Sequence, residues 1–228
     1  SGRHMTSELP NLLPAVPEIF VLGMICITLL ADLFVEQKRR LLTFLLTEFT
    51  LLGAMLLTVL LFDQQRVITF NNSFILDHVS IVLKLFIYTT TFFVLLYSRD
   101  YIEQREFPRG EYYILTLFSV LGMMVLVSAY SFITLYLGLE LLSLPLYTLV
   151  ALKRNSKICP EAAMKYFVMG AVASGMLLYG LSMIYGATQS LDISTIAQVT
   201  ANIPASQDLI LVFGLVFVVV GIAFKLGA

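Results

Sequence analysis

The chain has 228 residues, 59% of them hydrophobic and 13% charged, with a mean hydropathy of +0.91. Soluble domains carry about 25% charged residues, so half that value, with long apolar runs, excludes an ordinary soluble domain and points to a membrane protein. A net charge of −1 provides no basic face to neutralise phosphates and argues against a nucleic-acid partner.

The opening "SGRHM" reads as a vector scar. Residues 1–4 are therefore set aside as a tag remnant, and 5–228 read as one transmembrane domain. From Met5 onward there is no basic n-region, Glu8 and Glu18 intervene, and the apolar stretch is too long for a secretory signal. Seven helical spans of about 20 residues follow, the length a bilayer core requires. They are expected near 14–35, 41–62, 77–97, 112–129, 131–152, 161–185 and 208–228. The breaks are "EQKRR", "DQQRVITFNNS", "SRDYIEQREFPRGE", "SAYS" and "KRNSKICPE". "SAYS" is short enough to force a tight antiparallel hairpin between spans four and five. The segment "GATQSLDISTIAQVTANIPASQD" is less apolar, and Ile193, Ile196, Val199 and Ile203 recur at helical spacing. A short helix lying along the membrane surface is expected there. The class is all-α: a polytopic membrane bundle.

Loop charges give the orientation. The loops after spans one, three and five carry Lys38, Arg39 and Arg40, then Arg99, Arg105 and Arg109, then Lys153, Arg154 and Lys157. The opposite loops carry Arg66 alone. The positive side is cytoplasmic, so the N-terminus is expected outside, with 36–40 and 153–157 inside and 186–207 outside. The final run, "GIAFKLGA", ends at Ala228 without a polar flank, as expected of a piece of a longer membrane protein.

Cys26 and Cys159 lie far apart and outside any Cys/His cluster, and His78 stands alone. A haem needs axial ligands and an iron–sulfur cluster needs several thiolates, so no redox centre or metal site is expected in this chain.

Ionisable residues inside spans are the informative exceptions, because each costs about 2.5–3.5 kcal/mol at a helix centre on insertion scales. Glu18 and Asp32 lie near span ends and read as interfacial. Glu48 and Lys84 lie about two turns in, where long side chains can snorkel. Glu140 is about nine residues from one end of its span and about twelve from the other, too deep to reach water. Five residues later Pro145 removes a backbone hydrogen bond and displaces the carbonyl of Leu141. Irregular backbone at membrane depth is tolerated where it is buried in protein or lines a wet cavity, so Glu140 and Pro145 together suggest one polar spot with a helix break. Lys165 and Lys225 fall in spans six and seven. Counting at about 1.5 Å per residue puts both roughly 12 Å nearer the cytoplasm than Glu140. A direct ion pair therefore does not follow from counting. Glu and Lys in series across a bilayer are the parts of a proton relay.

The stretch "LGLELLSLPLYTLVALKR", then "EAAMKYFVMGAVASGMLLYGLSMIYGATQSLDI", resembles the N subunits of bacterial respiratory NADH:quinone oxidoreductase, complex I. "GEYYILTLFSVLGMMVLVSAYSFITLYLGLE" and the terminal "VGIAFKLGA" carry the same likeness, which is specific over about 98–228 and looser before. The resemblance implies the first half of a fourteen-helix antiporter-like fold with inverted repeats. It implies a proton relay of Glu140, Lys165 and Lys225, the last in a broken span, with quinone reduction coupled to proton pumping. It implies membrane subunits of the complex and lipid as partners, and the bacterial inner membrane as location. NADH, FMN, iron–sulfur clusters and quinone are implied in partner subunits rather than in this chain. A sequence that stops just after Lys225 lacks the second half-channel and is not expected to translocate protons alone. Two other readings stay open: a subunit of a related cation/proton antiporter or membrane-bound hydrogenase, and a non-conducting scaffold in which the acid and lysines only hold helices together.

Overall fold

The structure is a computed structural model and describes residues 10–34, 41–104, 109–152, 158–202 and 209–227. A 3-10 turn, Leu13–Ala15, leads into α1 (Val16–Phe34), followed by α2 (Leu41–Leu60), β1 (Val67–Thr69), β2 (Phe74–Leu76), α3 (His78–Gln104), α4 (Arg109–Val127), α5 (Phe132–Ala151), α6 (Ile158–Thr188), α7 (Ile193–Asn202) and α8 (Leu209–Lys225). Among the described residues, six helical segments are long and apolar enough to cross a membrane. The expected seventh span is α8, shorter at 17 residues, or about 25 Å at 1.5 Å per residue.

Helix ends depart from expectation where local chemistry favours helix. α3 continues past Ser98 through "RDYIEQ", which holds neither glycine nor proline. α6 begins at Ile158 because Pro160 fits a first turn, where its missing N–H costs nothing. α5 starts at the N-cap Ser131, whose hydroxyl accepts from the Thr134 amide at 3.3 Å.

The break after α2 hides a feature that hydropathy does not see. β1 and β2 pair antiparallel, Val67 opposite Leu76, across a turn in which Phe70, Asn71 and Asn72 all have positive φ. Two asparagines suit that region, because their short polar side chains tolerate left-handed backbone. The hairpin is stitched to the α4–α5 turn: the Ile75 amide donates to Ser128 O at 2.9 Å and the Tyr130 amide to Ser73 O at 3.0 Å. The Phe132 amide in turn donates to Leu191 O at 2.9 Å, just before α7. Three loops at one end of the bundle thus share backbone hydrogen bonds and fix where α5 enters. The expected surface helix is α7, with Ile196 buried against Ile184 of α6 and Leu211 of α8; Ile203 lies outside the described residues.

The larger core joins α1 to α4 through Val21, Ile25, Leu51, Tyr88, Leu117 and Met124. A second, around Leu139, Leu177 and Leu181, joins α5, α6 and α8. Large apolar side chains such as Leu22, Phe49, Phe86 and Val172 point outward, as membrane-facing residues do. Buried threonines 28, 47, 50 and 58 each donate to the carbonyl four residues back, which satisfies their hydroxyls without water.

Three acids and a lysine in this half depart from or refine the sequence reading. Lys84 does not snorkel. It is wholly buried and ion-paired with Glu18, which is buried as well rather than interfacial. Its ammonium also lies 5.1 Å from the centre of the Phe74 ring, a cation–π contact. Counting along one helix could not find this pair, since its members are 66 positions apart. Glu48 is buried rather than snorkelled. Asp32 takes a hydrogen bond from Thr43 at 3.1 Å and sits against Gly110 in the first turn of α4, where an acid complements the positive helix end.

Removing one member of a buried pair strands the other charge, at about 3–5 kcal/mol, whereas replacing both by apolar residues is near neutral. Lys84→Met in the full-length protein should therefore destabilise strongly, and Glu18→Leu with Lys84→Met should recover most of the loss. Thermal unfolding of the detergent-solubilised protein measures both. Additive losses would mean that the two residues act independently.

Candidate functional site

Glu140 lies on the third turn of α5, and α4 fixes its position from behind. A Cβ built on Gly122 would stand 2.5 Å from the Leu142 amide nitrogen and 2.7 Å from the Leu141 carbonyl carbon. α4 therefore packs backbone to backbone on α5 one and two residues past the glutamate. Gly138 repeats the approach, since a Cβ there would lie 2.8 Å from the Leu126 amide. Small residues that let helices approach this closely are the usual device of membrane packing.

α6 and α8 pack in the same way, antiparallel. Gly180 faces Gly214, and Gly221 faces Ala173 and Leu177. The matched small residues recur seven apart on each helix, about two turns. This register sets the depth of the lysine. Ser174, beside Ala173, donates its hydroxyl to Glu140 Oε1, so Glu140 is level with the Gly221 contact. Lys225 is one turn further along α8, and its side chain bridges that gap. Lys225 Nζ donates to Glu140 Oε1 at 2.9 Å and to Ser143 Oγ at 3.1 Å. The 12 Å backbone offset expected from counting is thus corrected. Counting started the spans level, but Phe132 at the head of α5 packs beside Ile184 and Leu211, inside the outer ends of α6 and α8.

The cluster is mostly enclosed, with side-chain exposure of 5% for Lys225 and 21% for Glu140. Ser143 accepts from the lysine and donates to Leu139 O at 2.7 Å. One carboxylate, one ammonium and two hydroxyls therefore form a connected set of proton donors and acceptors, and charge-assisted bonds of this kind are the strong ones.

Pro145 is buried inside α5, which runs unbroken from Phe132 to Ala151. The expected helix break is absent from α5: the proline removes one hydrogen bond, and the remaining ladder with α4 packed alongside holds the helix together. Lys165 is not part of the cluster. It pairs with Glu161 at 2.7 Å on an exposed face of α6, with side-chain exposures of 70% and 67%. The structure thus brings together two of the three relay residues and adds Ser143 and Ser174. Ser143 was readable in principle, because position i+3 shares a helix face with Glu140. Ser174, 34 residues away on another helix, carried no local signal.

Residues 129–228, which hold this cluster, match a family model described as NADH:quinone oxidoreductase/Mrp antiporter, TM. The NADH-quinone oxidoreductase subunit N of Thioalkalivibrio sulfidiphilus is 54% identical over 98% of this chain and 47% of its own length. That of Coxiella burnetii is 53% identical over 98% of this chain, again 47% of its own length. The chain thus spans about half the length of the curated relatives it matches. Among solved structures, the respiratory complex I from Thermus thermophilus with bound aureothin has a chain 26% identical, with a TM-score of 0.72, covering 92% of this chain and 43% of that one. An archaeal membrane-bound sulfane sulfur reductase shares the fold, with a TM-score of 0.75 at 22% identity over 93% of this chain and 43% of that one.

Proposed function

We propose that this chain, which belongs to the NADH-quinone oxidoreductase subunit N family and spans about half the length of those relatives, supplies one polar station of a proton path in a respiratory NADH:quinone oxidoreductase. Quinone reduction takes place in partner subunits of the complex, and the membrane is the bacterial inner membrane. The observation that carries the reading is the Glu140–Lys225 contact, mostly enclosed and flanked by Ser174, which donates to the carboxylate, and Ser143, which accepts from the ammonium. A lysine beside a carboxylate can release a proton when the carboxylate moves or is neutralised, and rebind one when the contact re-forms. Lys165, paired with Glu161 on an exposed face of α6, is a separate proton-exchanging group of the path.

The test is Glu140→Gln in the full-length protein within its complex. NADH-driven proton uptake into inverted vesicles, normalised to assembled complex, should fall by about a hundredfold, the low side of what a positioned acid or base contributes. Wild-type uptake by this variant would remove Glu140 from the path.

A further inference from the structure

We propose that Glu48 is a second proton-binding site, set in the core between α1, α2 and α4 and separate from the Glu140–Lys225 pair. The side chain retains 7% of its possible exposure. Among the described residues, neither buried carboxylate oxygen has a hydrogen-bond donor and no charged group acts on them. On α2 it lies one turn from Phe44 and three residues before Leu51, on the same face. Those two belong to the apolar core shared with Val21 and Ile25 of α1 and Tyr113 and Leu117 of α4.

The neighbouring polar groups are engaged elsewhere. Along α2, Thr47 donates to Thr43 O at 2.8 Å, Thr50 donates to Leu46 O at 2.7 Å, and Thr43 donates to Asp32 of α1. The other acid of α1, Glu18, pairs with Lys84 of α3. Arg99 of α3 stacks 5.1 Å from the centre of the Phe44 ring. On α3, Tyr88 lies 3.4 Å from Thr58 at the far end of α2. On α4, Tyr113 meets the edge of Phe44, and Glu111 belongs to its first turn.

An ionised carboxylate in this setting would have neither solvent nor counter-charge. Such burial disfavours the charged form and is relieved when the group binds a proton. The ligand that fits Glu48 is therefore a proton, taken up as the neutral acid and released when a cation or water approaches. Glu18, also buried, differs in having Lys84 as its permanent counter-ion.

The test is infrared spectroscopy of the full-length protein in its assembled complex, reconstituted in lipid. The wild type should show at neutral pH a protonated-carboxyl C=O band that Glu48→Gln lacks, and that band should move to lower frequency in D2O. Superimposable wild-type and Glu48→Gln spectra would show an ionised Glu48 and overturn the proposal. A band unmoved by D2O would overturn it too, since a trapped proton does not make an exchanging site. If the Gln variant fails to assemble, Glu48→Asp keeps the carboxyl in a changed setting. Its band should appear at a shifted frequency, and an unshifted band would again reject the assignment.

Discussion

Lys225→Arg in the full-length protein is expected to assemble normally and to lose coupled proton uptake, by on the order of tenfold or more, much as Lys225→Ala does. A residue that passes a proton on must visit its neutral form. Arginine stays charged at any accessible pH, whereas a buried lysine exchanges its proton readily. The geometry makes the comparison clean, because Glu140 Oε1 at 2.9 Å and Ser143 Oγ at 3.1 Å are acceptors that a guanidinium could also engage. If the pair serves only to hold α8 to α5, the order inverts. Arginine would then preserve the charge pair and the activity, and alanine would strand a largely buried carboxylate and weaken the assembly. The measurement is NADH-driven proton uptake into inverted vesicles, normalised to assembled complex. Full uptake by the arginine variant would leave the scaffold reading standing and discard the carrier.

A graded loss is expected along Gly122→Ala and Gly122→Val. The first Cβ already meets backbone atoms of Leu141 and Leu142 at 2.5–2.7 Å, and backbone cannot rotate away as a side chain can. α4 and α5 must separate, at about 1–3 kcal/mol for the first methyl and more for valine, whose branched side chain also fits a helix less well. Because the contact lies one and two residues past Glu140, the shift displaces the carboxylate relative to Ser174 and Lys225. Thermal unfolding of the solubilised full-length protein should fall in the order Gly, Ala, Val, with proton uptake falling in parallel. Equal stability of all three would mean that α4 and α5 do not pack as closely as described.

The sequence alone determined the membrane class, the number and order of apolar helices, the tight α4–α5 turn and the short helix before α8, and it singled out Glu140 as an acid too deep to snorkel. These follow from local regularities. Apolar run length is set by bilayer thickness, and a carboxylate too deep to snorkel stands out against its own span. Family likeness added Lys165 and Lys225, but not their distances from Glu140.

Tertiary structure alone decided which charges meet. Lys225 reaches Glu140 because glycines at matched spacing let α6 and α8 nest, and because α5 starts below the ends of both neighbours. Depth counted along separate helices contains neither fact. The same limit hid Glu18–Lys84, two residues that each look harmless near a span end and are buried only because α1 and α3 close over them. It also hid the β1–β2 hairpin, whose three-residue strands are too short to leave a periodicity, and the continuity of α5 through Pro145. Burial, register and partner choice are properties of pairs of helices. A single chain of letters states them only where both partners lie within one turn, as Glu140 and Ser143 do.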